Sequence, residues 1–184
     1  MKIKILILSV ISTVTLVGVG VLPTPYSMNR VEASSAQTAK QFKTYRSPKV
    51  FSIQYPSGWN VNKTHNKYVA ITNYKPRVGG GTNFIKTEIT FAQGSMEKTF
   101  NTGISNNTEH NAIITKREKL TIGGRQALRF WVTDNSGFDF PNIIRTYIRY
   151  NNNQTAIVSS YYTSSNTSAV GTIQRIHQSF KVIK

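Results

Sequence analysis

The sequence contains no cysteine in its 184 residues, which excludes disulfide frameworks, thiolate nucleophiles, thiolate metal sites and cysteine-linked lipid anchors. The fold must therefore rest on its core alone. Acidic residues are scarce as well: seven Asp and Glu stand against 23 Lys and Arg, giving a formal net charge of +16 and an isoelectric point near 10.3. That imbalance points to an anionic partner, whether acidic protein, membrane surface or nucleic acid. The 39% hydrophobic and 16% charged content is ordinary for a globular domain and disfavours collagen-like or mostly disordered chains.

The usual signatures of catalysis are missing too. No Gly-x-Ser-x-Gly elbow occurs, and the few carboxylates form no recognisable glycosidase pair. The glycine-rich stretch Val78-Gly79-Gly80-Gly81-Thr82 lacks the Gly-Lys-Ser/Thr of a phosphate loop and precedes a strand pattern, so it reads as a connecting loop. His65, His110 and His177 are scattered without metal-ligand spacing. Glu109 adjoins His110, but neighbouring side chains point apart. Asp134-Asn135-Ser136-Gly137-Phe138-Asp139 has the oxygen ligands of a calcium loop, yet its glycine falls early and the closing Glu is absent, which favours a polar turn. Asn-x-Ser/Thr triplets begin at Asn62, Asn106, Asn153 and Asn166 and matter only in a host that glycosylates exported proteins.

The amino terminus reads as an address. Lys2 and Lys4 precede an uncharged apolar stretch from Ile5 to Leu22, and Val31-Glu32-Ala33 offers a cleavage site, with Ala36 and Ala39 as alternatives. We expect residues 1–33 to be a signal peptide, 34–44 a flexible tether of small polar residues, and 45–184 the folded domain. The competing reading is an uncleaved anchor, since the apolar run lies at the lower edge of what spans a bilayer. Removing the leader leaves the excess of cations with the exported chain.

Beyond the tether, apolar and aromatic residues alternate. Val50–Tyr55 predicts a strand stopped by Pro56-Ser57-Gly58, and further strands follow at Trp59–Val61, Tyr68–Tyr74 and Thr87–Phe91. Ser95 is placed to cap a helix bearing Met96, Phe100 and Ile104 at four-residue spacing, with Gly103 weakening it. Ala112–Glu118 and Lys119–Ile122 read as extended, Gly123-Gly124 as a hairpin turn, and Gln126–Thr133 as the returning strand. Ile143–Tyr150 and Thr155–Thr163 predict a second hairpin across Asn151–Gln154, and Val170, Ile173, Ile176, His177 and Phe180 fall at helical spacing. Hairpins closed by a terminal helix imply an α+β domain with an antiparallel sheet.

Alternation also suggests a surface. Arg145, Tyr147 and Arg149 share one side of a strand with Ile143, while Arg129 and Trp131 share a side of the preceding one. If those sides coincide, a cationic and aromatic face forms, suited to an acidic protein first, an anionic membrane second and nucleic acid third, with Trp131 and Tyr147 as anchors. The alternative is that these stems pack beneath a helix and only their tips reach water. An enzyme of another class, a hydrolase or small-ligand enzyme, would use a pocket under the Gly79–Gly81 loop.

The opening Phe51-Ser-Ile-Gln-Tyr-Pro56-Ser-Gly-Trp59 resembles the F-x-I-x-Y-P-x-x-W start of PsbP-like domains. Gly123-Gly124-Arg125 before an apolar strand, the following hairpin, and a terminal helix ending in Ser179-Phe180 are similar to that family's second half. The resemblance covers about Tyr45 to Lys184. It implies an α/β/α sandwich around a central antiparallel sheet, a fold shared with Ran-binding proteins, and a non-enzymatic role. The best-known members are extrinsic subunits or assembly factors of photosystem II, so the resemblance implies a photosynthetic bacterial host and a thylakoid-lumen or periplasmic compartment, the cell exterior being the alternative. The chain departs from cyanobacterial members in lacking their lipid-modified cysteine and in its strong positive charge. Weak calcium or manganese binding is implied by the resemblance only; the sequence itself assigns no catalytic, cofactor or metal residue.

Overall fold

A computed structural model of the protein describes residues 41–65, 67–75, 83–109, 112–134, 140–163 and 167–183. The expected leader, the tether as far as residue 40, the Gly79–Gly81 loop, His110 and the turn at 135–139 lie outside them. The tether expected over 34–44 ends earlier than its composition suggests. A first strand, β1 (Phe42–Ser47), already pairs antiparallel with β2 (Phe51–Pro56), Phe42 opposite Pro56. Long-range pairing, invisible in a short polar stretch, orders those residues.

The alternating segments then form β3 (Asn60–His65), β4 (Tyr68–Thr72) and β5 (Ile85–Gln93). Helix α1 (Met96–Glu109) follows, with the Ser95 Oγ accepting the Lys98 backbone N–H at 3.3 Å and Glu97 complementing the positive end of the helix. The two extended segments after it form one strand, β6 (Ile113–Ile122), with a bulge between Ile114 and Lys116. Gly123 and Gly124, at φ +54° and +76°, make the two-residue turn to β7 (Arg125–Thr133), left-handed values that glycine, having no Cβ, adopts without strain. β8 (Asn142–Asn151) and β9 (Gln154–Tyr162) form the second hairpin, and α2 (Thr167–Gln178) and a two-residue β10 (Lys181–Val182) close the chain.

Seven strands make one sheet in the order β3-β4-β5-β9-β8-β7-β6, every pairing antiparallel, and β1-β2-β10 make a second. Side-chain alternation gives the large sheet two apolar faces. On one, Phe130 and Val132 of β7 with Ile143 and Tyr147 of β8 meet Met96 and Phe100 of α1. On the other, Ile89, Ile148 and Val158 meet Ile176 of α2 and Phe51 and Ile53 of the small sheet, while Ile85 and Ile144 meet Ile173. The architecture is thus the α+β, α/β/α arrangement around an antiparallel sheet, with the small sheet added on the α2 side. Phe51 stacks on Phe180 at 5.4 Å, which is what draws β10 to β2. Each such fully buried Phe or Ile contributes about 1.5–3 kcal/mol of apolar burial.

Candidate functional site

Register decides where the cationic and aromatic residues go. β7 and β8 pair with Leu128 opposite Tyr147, Arg129 opposite Thr146, Phe130 opposite Arg145 and Trp131 opposite Ile144. Cross-strand partners share a face, so Arg145, Tyr147 and Arg149 lie on the α1 side and Arg129 and Trp131 on the α2 side. The single surface conditional on the two sides coinciding does not form. Tyr147 is only 2% exposed, wedged between Phe100 and Phe130 at ring distances of 5.5 and 5.7 Å. Arg145 is half-buried, its Nε donating to Ser159 Oγ at 2.9 Å. Arg149 reaches out to pair with Glu97 of α1 at 2.8 Å.

Arg129 is 3% exposed and belongs to an interior polar chain. Its Nε donates to Thr146 Oγ1 at 2.8 Å, and its Nη1 pairs with Glu118 at 3.2 Å. Thr146 in turn meets His177 Nδ1, Ser160 Oγ meets His177 Nε2, each at 2.8 Å, and Ser160 meets Thr87 at 2.7 Å. Burial, reinforced by the Arg129 charge, holds the His177 pKa well below its usual value, so the ring is neutral. The Ser–His contact is sealed beneath α2, where no substrate reaches it, and its work is to satisfy polar groups in the core.

Exposed cations are spread over the described surface, among them Lys43, Lys63, Lys98 and Arg175, but three of them stand together at the edge of the large sheet. β6 is the terminal strand, and Lys116, Arg117 and Lys119 on it are exposed. Lys116 lies over the Trp131 ring at 4.4 Å and contacts Glu118 at 3.1 Å. Glu118, the one carboxylate in this run, is shared with buried Arg129, which leaves the edge strongly positive. On the α1 side, two shallow pockets of about 270 and 250 Å³ adjoin Lys119; one has Phe100 and Leu128 in its walls, the other Met96 and Leu128. Ile113, at the start of β6, is 56% exposed. None of Lys116, Arg117 and Lys119 was among the sequence candidates. Their signal was three cations in four residues of an extended segment leading into a Gly-Gly turn.

A third concavity, about 360 Å³, runs over β4 on the α1 side, beyond the helix. Ala70 and Thr72 are in its floor, Asn60, Asn62 and Thr64 of β3 on one flank, and Lys86 of β5 on the other. Beside it Glu88 takes Lys86 at 2.7 Å and the Tyr68 hydroxyl at 2.8 Å. Burial pushes the Glu88 pKa up, but Lys86 and Tyr68 outweigh it and the net shift is downward, making the carboxylate a weak base. The calcium or manganese implied by resemblance finds no matching donor set among the described residues, where no three of His, Asp and Glu come together. No helix among them is long and apolar enough to cross a membrane.

Fold and site together define an α+β sandwich whose sheet ends in a basic edge. No protein-family profile matches the chain, and no curated protein does. Among solved structures, it is similar to cyanobacterial PsbP (CyanoP) from Synechocystis sp. PCC 6803, with a TM-score of 0.52 at 10% identity, covering 83% of this chain and 98% of that one. It is likewise similar to LpqN of Mycobacterium tuberculosis, a protein involved in cell envelope biogenesis, with a TM-score of 0.52 at 11% identity over 79% of this chain and 92% of that one. Likeness at such identities shows the fold, and the fold is PsbP-like.

Proposed function

We propose that this is an exported, non-enzymatic PsbP-like binding protein that docks by its basic surface onto an acidic protein at the lumenal or periplasmic face of a membrane, photosystem II being the specific partner. The observation that carries the reading is the exposed Lys116, Arg117 and Lys119 on a sheet edge whose only carboxylate is already shared. Such an edge steers an acidic surface by long-range attraction and supplies rim contacts on arrival. The resemblance to PsbP-like domains supports photosystem II, and the leader-like amino terminus supports export.

The test is capture of membrane complexes from the source organism on the tagged protein, identified by mass spectrometry. Photosystem II subunits are expected at low salt and lost near ~1 M, where the Debye length is roughly 3 Å. Retention through high salt, or no acidic complex at any salt, refutes the reading. Flotation with anionic liposomes, without protein, separates direct lipid binding. The groove over β4 favours a second reading, a small-ligand site lined by Asn60, Tyr68, Thr72 and Lys86, which a thermal-shift screen on the native protein and Tyr68→Ala would test.

A further inference from the structure

We infer that β6 is a docking edge that takes an extended acidic polypeptide segment as an additional antiparallel strand. The inference rests on the proposed docking to an acidic protein and specifies its mode. The backbone argument starts at the turn. In a two-residue hairpin the flanking residues, here Ile122 and Arg125, exchange both hydrogen bonds, and bonded pairs then alternate along the ladder. Leu120, Glu118 and Lys116 therefore bond to β7, while the N–H and C=O of Arg117, Lys119 and Thr121 point to the free edge. The Thr121 carbonyl confirms that direction, since it accepts the Gln178 side-chain amide from outside the sheet at 3.0 Å. No strand lies beyond β6 among the described residues.

The residues offering free backbone groups are the ones bearing the cations. Arg117 and Lys119 present both an unpaired N–H and a positive side chain, so carboxylates directly opposite them on an incoming strand would meet opposite charge at cross-strand distance. Their side chains lie on the α1 face, so the carboxylates of the incoming strand lie there with them and its alternate residues face the α2 side. Lysine at an edge ordinarily guards against self-pairing. A second copy of this chain in the register that sets Arg117 against Lys119 would bring cation to cation and Glu118 to Glu118, whereas an acidic segment pairs with the cations. The charge thus rejects the copy and selects the partner.

The test uses the purified protein and a synthetic peptide of alternating Glu and Val, with two backbone-methylated versions. Methylation of the Glu amides removes the N–H groups that would face β6; methylation of the Val amides removes those facing away. The unmodified and Val-methylated peptides are expected to bind alike at low salt, and the Glu-methylated one at least about tenfold more weakly. Amide exchange at Arg117 and Lys119 should slow on binding of the unmodified peptide, and Arg117→Gln with Lys119→Gln should weaken binding and flatten its salt dependence. Equal binding of all three peptides without amide protection would overturn strand addition and leave charge-based docking standing. Failure of every peptide while membrane capture succeeds would likewise remove strand addition alone; failure of both removes the two readings together. A dimer paired through β6 in the free protein would also overturn it.

Discussion

Replacing Gly103 with alanine tests the packing of α1 where helix propensity and tertiary structure disagree. In an exposed helix interior the substitution would stabilise by about 1 kcal/mol. Here a Cβ at Gly103 would overlap the Tyr147 hydroxyl and lie 2.8 Å from its Cζ. Tyr147 cannot swing aside, because it is 2% exposed and fixed between Phe100 and Phe130. Overpacking of this kind costs about 1–3 kcal/mol, so the net expectation after the propensity gain is destabilisation of up to about 2 kcal/mol. At a urea slope of ~2 kcal/mol/M that lowers the unfolding midpoint by up to roughly 1 M. In a Tyr147→Leu background the obstruction is gone, and Gly103→Ala should become neutral or stabilising, a coupling of at least ~1 kcal/mol in the double-mutant cycle. A raised midpoint for Gly103→Ala in the native background would refute this account of the α1 interface.

Three other outcomes follow from the ionisable side chains. His177 is neutral when folded and binds a proton more readily when unfolded, so stability rises with pH between its depressed folded pKa and about 6.5; acidification from pH 6.5 to 5 should cost up to ~1.4 kcal/mol per pH unit, and a flat urea midpoint over that window would contradict it. Glu118→Gln should destabilise by about 3 kcal/mol by stranding the buried Arg129 cation, and Arg129→Met by clearly less; the reverse order in thermal melts would show that Arg129 keeps its charge solvated some other way. Arg149→Gln breaks only an exposed pair with Glu97 and should move stability by no more than ~0.5 kcal/mol, so a large loss in urea titration would reveal a structural role for that pair.

Local signals marked most elements well. The Gly123-Gly124 turn, the Ser95 cap, the Asn151–Gln154 connection and the apolar spacing of α2 each depend on residues close in sequence, and each occurs where those residues stand. β1 and β10 were not legible. One is a polar-looking stretch ordered by pairing with β2, and the other is two residues long and held by the Phe180 contact with Phe51. The candidate surface was legible only in its charge. Arg129, Trp131, Arg145, Tyr147 and Arg149 were correctly placed on strands, but their positions relative to helices and solvent followed from pairing.

The sequence by itself determined the alternation of strands, the two hairpins, the terminal amphipathic helix and the large excess of cations, because periodicity, turn chemistry and charge are properties of neighbouring residues. Tertiary structure decided that Leu128 faces Tyr147, that His177 closes a buried polar chain, that Gly103 makes room for a hydroxyl, and that β6 ends the sheet. The physical reason is that faces are assigned by register and edges by strand order. Both are set by contacts between segments far apart in the chain, and a one-residue slip in pairing exchanges the inside for the outside.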